Sequence, residues 1–297
     1  MKRYGLLSLL VLIGILTACE HKELCFDHPH TADLRVIFDW RYAPDARPSS
    51  MRLYLFPKTE KEPLVYEFTD RTGGTVTVPA GHYRALCLNS NTEFILYRNA
   101  EHYESFEAYL TEGAFPRPVP RNGQSIRAVP DMLWDDRAEE VEVVASREGQ
   151  TLTLYPKIVV RHYTVEIINA GNLEYISSGE IFGSLTGMSG GFMLGEDTPT
   201  DELATLPFDM TSDGKTTVKA DFYTFGYPPA SETPQSLVVY AVLNDGKKYS
   251  RRTIFQKILS NRQKISPFVT NATWHILKMS SILPPKYLTI SENFTDL

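Results

Sequence analysis

The amino-acid sequence predicts an all-β protein with few short helices, built as two consecutive β-sandwich domains. Three observations favour this class: short runs in which apolar and polar residues alternate, turn residues between those runs, and no regular succession of helices between them. A parallel α/β sheet needs a helix between successive strands. Because that repeat is missing, the strands are expected to form antiparallel sandwiches instead.

The first set of predicted strands lies between residues 34 and 88. In residues 34–40 nearly every second side chain is large and apolar, which predicts a strand with one face towards a core. Comparable runs occupy residues 51–56, 64–68, 75–78 and 82–88. Pro79 and Gly81 separate the last two runs, because proline fixes φ and glycine accepts positive φ in a turn.

A second set of predicted strands follows Pro156. It comprises residues 158–168, 191–194, 216–222, 237–243, 248–254 and 273–279. Asn244, Asp245 and Gly246 lie between two of these runs and predict a tight hairpin turn. Helical spacing of apolar residues is short, at residues 103–110 and 254–259.

Pro156 also marks the expected boundary between the two domains. Proline cannot donate to a strand ladder and is excluded from central strand positions, so it separates a closing strand from the next opening one. We therefore expect an N-terminal sandwich over residues 32–155 and a C-terminal sandwich over residues 156–297.

The N-terminus has the organisation of an export signal. Lys2 and Arg3 precede an apolar run from residue 6 to residue 16, which as a helix would reach ~16 Å, too short to span a bilayer. The run ends in Leu-Thr-Ala-Cys at residues 16–19, which resembles the lipobox of bacterial lipoproteins. We therefore expect a signal peptide over residues 1–18, lipidation at Cys19 and a tether over residues 19–31.

The charge balance excludes a polyanion ligand. The chain carries 36 acidic and 30 basic residues, for a formal net charge of −6, without a run of lysine and arginine. Proteins that bind nucleic acids usually present a basic stripe to the phosphates, so we expect no nucleic-acid partner.

Two further cysteines, Cys25 and Cys87, remain after lipidation of Cys19. The chain is expected in an oxidising compartment, where disulfides persist. Cys25 and Cys87 therefore either form a disulfide that fixes the N-terminal segment to the first domain or remain separate thiols, since a bridge requires Cα atoms within about 7 Å.

Residues 187–191 match the Gly-x-Ser-x-Gly pattern of hydrolases, in which the serine lies on a turn between a strand and a helix. Here Ser189 is followed by Gly191 and an apolar run without helical character, and the single later histidine, His275, lies in a predicted strand. The pattern therefore indicates a glycine-rich bulge or turn, and we expect no catalytic residues.

The tether contains residue types that bind zinc or copper. Cys25, His28 and His30 are closely spaced, but a closed structural site needs a second ligand pair farther along the chain. Without such a pair, a polar tether is the preferred interpretation, and we expect no metal or cofactor. Trp134 lies among carboxylates and either covers the core or offers a sugar platform.

Taken together, these features resemble the FimB-type fimbrial anchor and accessory lipoproteins of Bacteroidetes. The residues that carry the resemblance are 16–19, 21–25, 27–30, 34–40, 79–83, 86–89 and 187–191. The Pro-Ala-Gly-x-Tyr turn at residues 79–83 is similar to that of transthyretin-like sandwiches, which implies a transthyretin-like fold for both domains. The lipobox is the one sharp motif, while the others are specific only as a set.

The resemblance implies a lipid-anchored outer-membrane protein at the cell surface that acts as an anchor or accessory subunit of fimbriae. Its partners would be pilin-type subunits, bound by β-strand addition or through a sandwich face. The alternative function is that of a surface glycan-binding lipoprotein. The resemblance is compatible with both the periplasmic and the surface-facing leaflet of the outer membrane.

Overall fold

The computed structural model describes residues 30–59, 62–114, 123–146, 148–255, 275–280 and 291–293. Within these residues the regular structure consists of 22 strands and two three-residue 3₁₀ helices, Trp40–Tyr42 and Leu173–Tyr175. The predicted all-β class with few short helices is confirmed.

The first eleven strands lie in the first 158 residues. They are β1 (Thr31–Phe38), β2 (Met51–Pro57), β3 (Leu64–Phe68), β4 (Gly73–Pro79), β5 (Gly81–Asn89), β6 (Ile95–Arg98), β7 (Glu107–Leu110), β8 (Ser125–Ile126), β9 (Trp134–Val143), β10 (Gln150–Leu154) and β11 (Lys157–Ile158).

The other eleven strands follow. They are β12 (Arg161–Ile168), β13 (Ile176–Ser189), β14 (Gly191–Met193), β15 (Thr198–Pro199), β16 (Leu203–Asp209), β17 (Thr211–Ser212), β18 (Thr217–Thr224), β19 (Gln235–Leu243), β20 (Lys248–Phe255), β21 (His275–Ser280) and β22 (Ser291–Asn293).

The first sandwich consists of sheet A, in the order β10-β1-β4, and sheet B, in the order β11-β9-β5-β2-β3. Alternate residues of β1 face sheet B and are buried, as expected for a strand with one face in the core. They pack against the inward residues of β2 and β5, among them Leu53, Leu55 and Cys87. Trp134 at the start of β9 meets Trp40 edge to face, with ring centroids 6.1 Å apart.

The second sandwich consists of sheet D, in the order β17-β18-β12-β21, and sheet E, in the order β22-β20-β19-β13-β16-β8. Its core contains Val165 of β12, Leu185 of β13 and Phe222 of β18. The hairpin predicted at residues 244–246 joins β19 and β20, and Gly246 adopts a φ of +81° there.

A third sheet, sheet C, joins the two sandwiches and has the order β15-β14-β7-β6. Its strands β6 and β7 come from the first half of the chain, whereas β14 and β15 come from the second half. It covers the outer face of sheet B, where Tyr54 packs against Phe106 with ring centroids 4.8 Å apart. Strands β2 and β5 of sheet B are therefore buried on both faces, and one hydrophobic cluster continues from the outer face of sheet B into the second sandwich.

The short helix that the apolar spacing at residues 103–110 indicated was a wrong prediction. Glu107–Leu110 forms strand β7, because it pairs with β6 on one side and with β14 on the other. The second helical indication ends outside the described residues, and its first two residues belong to β20. Near Pro156 the chain still pairs with the first sandwich through β11 and enters the second at β12. The domain boundary at Pro156 stays a prediction.

Candidate functional site

Residues 19–29 of the tether, with the predicted lipidation site Cys19 and with Cys25 and His28, lie outside the described residues. The exposed His30 is the first described residue, and β1 begins directly after it. Within the described part of the chain, no group of three or more histidine, cysteine, aspartate or glutamate side chains is arranged to hold a metal ion. Lipidation at Cys19 and the polar character of the tether stay predictions.

Cys87 lies on β5 with its side chain fully buried in the core between sheets A and B. Burial in this apolar core, together with the nearby carboxylates of Asp136 and Asp135, raises the pKa of the Cys87 thiol well above its usual value. Cys87 is the one cysteine among the described residues. A disulfide with Cys25 and a separate thiol therefore both stay as alternatives for Cys87.

The glycine-rich motif at residues 187–191 closes strand β13. Between Leu185 and Met188 the pairing register with β16 shifts by one residue, and Gly187 takes a φ of +77° inside this bulge. The bulge predicted from the sequence is therefore present. The backbone N–H of Gly187 donates to Oε1 of Gln124, at 2.9 Å, which fixes the bulge to the segment before β8.

Ser189 is fully buried and its hydroxyl is used within the fold. The Oγ atom lies 2.7 Å from the carbonyl oxygen of Gly191 and 2.8 Å from that of Thr200, so its single proton is donated to one of these acceptors. The motif leads into strand β14, not into a helix. His275 begins β21 in sheet D, whereas Ser189 ends β13 in sheet E.

Two carboxylates pack directly on the glycines of this motif. Glu107 is buried and accepts two hydrogen bonds from Arg98, each 2.7 Å long. Its Oε1 lies 2.5 Å from the point where a Cβ atom of residue 191 would stand. Glu202 occupies the corresponding space beside Gly190 and pairs with Arg127. The motif therefore provides room for an ion-pair network that ties sheet C to the second sandwich.

A second cluster of charges lies where the first sandwich meets the β14–β15 turn. Arg137 of β9 pairs with Asp197 at 2.7 Å and donates to the carbonyl oxygen of Leu194 at 2.6 Å. Lys157 of β11 also pairs with Asp197, at 3.1 Å. These contacts hold the turn of the second half against the first sandwich.

Asp135 lies beside this cluster with no exposed surface, and neither of its carboxylate oxygens has a hydrogen-bond partner in the described part of the chain. The Arg137 guanidinium is 4.0 Å away. Burial raises the pKa of Asp135 to about 7, and the positive charge of Arg137 opposes part of that rise. No sequence signal separated Asp135 from the neighbouring acidic residues.

Several strands end a sheet among the described residues, and β3 and β6 are two of those that carry exposed apolar side chains. β3 is the outermost strand of sheet B and exposes half of Val65. β6 is the outermost strand of sheet C, and both Leu96 and the preceding Phe94 are about 40% exposed. An apolar edge strand of this kind is a template for pairing with another chain.

A cleft of about 460 Å³ lies beside β6, between the loop before β9 and the strands of the second sandwich. Phe94, Asp131, Asp209 and Asp221 are among its lining residues. The Asp131 carboxylate already accepts the backbone N–H groups of Glu93 and Phe94, each at 2.6 Å. The cleft therefore combines one exposed ring with three carboxylates.

The described residues contain no helix with the length and apolar character needed to cross a bilayer. The architecture defines the class of the protein as an all-β protein with two β-sandwiches joined by a small sheet. A crystal structure of a candidate adhesin from Bacteroides ovatus matches with a TM-score of 0.62 and 21% identity, over 94% of this chain and 99% of that chain. The fimbrial anchor protein Mfa2 from Porphyromonas gingivalis matches with a TM-score of 0.48 and 12% identity, over 75% of this chain and 81% of that chain.

Residues 18–209, well over half of the chain, match the family described as domain of unknown function DUF5119, and the chain belongs to this family. It is also 29% identical over 200 residues to a Bacteroides ovatus protein named as a candidate fimbrium anchoring subunit, Fim4B. That match covers 65% of this chain and 56% of the relative, so the chain spans a little over half the length of that protein. The resemblance to fimbrial anchor and accessory lipoproteins is confirmed.

Proposed function

We propose that this chain is a lipid-anchored outer-membrane subunit that holds fimbriae at the cell surface, as an anchor or accessory component. The similarity to the Bacteroides ovatus relative named as a fimbrium anchoring subunit supports the fimbrial role. The lipobox at residues 16–19 supports the lipid anchor, because acyl chains hold an otherwise folded body at a membrane.

The positions of the two ends of β1 are the main structural support for this proposal. The tether enters the first sandwich at Thr31, which pairs with Pro79 at one end of sheet A. The other end of β1, at Phe38, pairs with Leu154, two residues before Pro156. The chain thus leaves for the second sandwich at the end opposite the tether. A lipid on Cys19 would therefore hold the first sandwich near the membrane and leave the second free for a partner.

We expect pilin-type subunits to dock on this body by β-strand addition or through a sandwich face. The exposed edge of β6, with Phe94 and Leu96, supports strand addition, because unpaired backbone groups and apolar side chains lie together there. A role without catalysis is supported by Ser189, whose buried hydroxyl is bonded to backbone carbonyl groups.

The cleft beside β6 favours one alternative, the binding of a surface glycan. Sugars bind to exposed aromatic rings flanked by carboxylate acceptors, and Phe94 with Asp131, Asp209 and Asp221 provides both kinds of group. A glycan array on the isolated protein separates the two functions.

The test is affinity capture of the native lipoprotein from detergent-solubilised membranes, followed by identification of the proteins that co-purify. We expect fimbrial subunits with the wild-type chain. Cys19→Ala should leave the membrane fraction and the detergent phase, whereas Cys25→Ala, the matched control, should remain there. Recovery of no fimbrial subunit together with saturable binding to a polysaccharide would replace the anchor by the glycan-binding function.

A further inference from the structure

The strand that receives the tether, β1, is the middle strand of its sheet. It forms seven residue pairs with β4, from Thr31 opposite Pro79 to Ile37 opposite Gly73. On its other side it forms five pairs with β10, from Leu34 opposite Gln150 to Phe38 opposite Leu154. The strand next to the predicted lipid is therefore held by hydrogen-bonded ladders on both sides.

The side chains of β1 also fix it to the core. Every second residue points inward and is at most 2% exposed: Ala32, Leu34, Val36 and Phe38. Sliding β1 along its axis would move all four out of their positions at once and expose apolar surface. On the outer face, the Asp33 carboxylate accepts a hydrogen bond from Thr77 of β4, at 3.0 Å.

The direction of β1 decides how tension acts on it. A force between the tether and the second sandwich pulls β1 at its Thr31 end and pulls the rest of the first sandwich at the Phe38 end. That force runs along the strand, so the hydrogen bonds of both ladders resist it together. A force across the strands would instead open the residue pairs one after another, against one or two hydrogen bonds at a time.

We propose that β1 is the force-bearing strand of this protein, held in shear between β4 and β10 so that tension on the second sandwich passes to the lipid-bearing end without unfolding the first. The inference rests on the proposed function, because tension arises only if one end is tethered and the other is held by a partner. It extends that function to a mechanical one that belongs to sheet A.

Single-molecule force spectroscopy on the full chain tests the proposal. In the first geometry, the chain is held by its N-terminal segment and by a peptide handle inserted at Gly214, an exposed turn with open space around it. In the second geometry, the second handle is inserted at Thr59, in the turn after β2. Because β2 ends with Pro57 opposite Tyr83, this turn lies at the same end of the sandwich as Thr31, and the force acts across the strands.

We expect the first sandwich to unfold at a force several-fold higher in the first geometry than in the second. Equal forces in the two geometries would overturn the proposal. This comparison keeps the native residues of sheet A, so it does not depend on whether a substituted strand folds.

A crosslink between β1 and β10 identifies the strand that gives way. Arg35 and Thr151 are exposed partners in the parallel register, at a separation suited to a disulfide once both are replaced, Arg35→Cys and Thr151→Cys. In the oxidised double variant, the disulfide keeps the segment between the two cysteines from extending. The length of chain released on unfolding should therefore be roughly 400 Å shorter, at about 3.4 Å per residue over the bridged segment. Addition of a reductant should restore it. An unchanged high-force event in the oxidised variant would place the resistance outside β1.

The measurement separates this inference from the function on which it rests. It uses isolated protein, without membrane or partner, so a weak β1 contradicts only the mechanical role. Conversely, a Cys19→Ala chain that stays with membranes contradicts the lipid anchor and leaves the resistance of β1 as measured.

Discussion

Gly191 lies directly against the carboxylate of Glu107, so close that a methyl group on residue 191 would stand 2.5 Å from Oε1. The carboxylate cannot swing away without losing its two hydrogen bonds to Arg98. This contact explains why a glycine occupies position 191, the last position of a Gly-x-Ser-x-Gly pattern that is otherwise typical of hydrolases. Gly191 of β14 therefore makes room for the ion pair that Glu107 of β7 forms with Arg98 of β6.

Gly191→Ala should therefore destabilise the protein by about 1–3 kcal/mol, the usual cost of inserting a methyl group into a packed site. Gly171→Ala is the matched control, because an added Cβ at this exposed glycine would meet no atom within 4 Å. Its stability should stay within about 0.5 kcal/mol of the wild type. Urea unfolding curves measure both values, and equal stabilities of the two variants would contradict the role given to Gly191.

Ser189→Ala should lower stability by about 1–3 kcal/mol, because it removes a buried hydroxyl that donates to the carbonyl oxygen of Gly191 or of Thr200. Ser184→Ala, on the same strand, is the control. The Ser184 hydroxyl is fully buried but has no hydrogen-bond partner in the described residues, so its loss should change little.

Activity-based serine probes should leave the wild type unlabelled. Labelling that disappears in Ser189→Ala would make the chain an enzyme.

The sequence predicted strands β1 to β5 of the first sandwich well, because short apolar or alternating runs bounded by turn residues indicate strands. β1 to β5 lie where the runs of apolar and polar residues indicated them. The joining sheet was not predicted. Residues of β7 repeat with helical spacing but form a strand, because Ala108 pairs with Phe192, 84 positions farther along the chain (192 − 108). Local periodicity contains no information about such distant partners, and tertiary pairing overrides it.

The same limit applies to the charged residues. Trp134 was expected either to cover the core or to offer a sugar platform, and it packs on the core as the first residue of β9. Asp135 follows Trp134 in a run of acidic residues, and such a run predicts a solvent-exposed surface. It became buried because sheet C, built from both halves of the chain, covers the outer face of sheet B.

Cys87 should be unreactive in the native protein. Its side chain is fully buried and its pKa is raised, so little thiolate forms and reagents cannot reach it. In a Cys25→Ala chain, an alkylating reagent should modify Cys87 only after unfolding, as followed by peptide mass spectrometry. Modification of native Cys87 at the rate of a free cysteine would contradict this. Non-reducing peptide maps of the wild type then distinguish a disulfide between Cys25 and Cys87 from two separate thiols.

Asp135 should make the stability of the protein depend on pH. Its pKa is about 7 in the folded chain, against an ordinary value of 3.8, so the folded state binds more protons than the unfolded state between these values. Stability from this group is therefore fully present below about pH 4 and is lost as the pH rises through 7. At 1.36 kcal/mol per pKa unit, the loss amounts to at most about 4 kcal/mol.

Asp135→Asn should remove this loss, because a neutral amide of the same size does not ionise beside Arg137. Unfolding free energies measured in urea from pH 5 to pH 8.5 should fall with pH in the wild type and much less in the variant. Asp201→Asn replaces an exposed acid and is the control, so it should keep the wild-type pH dependence. If Asp135→Asn and Asp201→Asn follow the same curve, the buried carboxylate does not titrate in this range. The junction between the sandwiches would then be held independently of pH through Arg137 and Asp197.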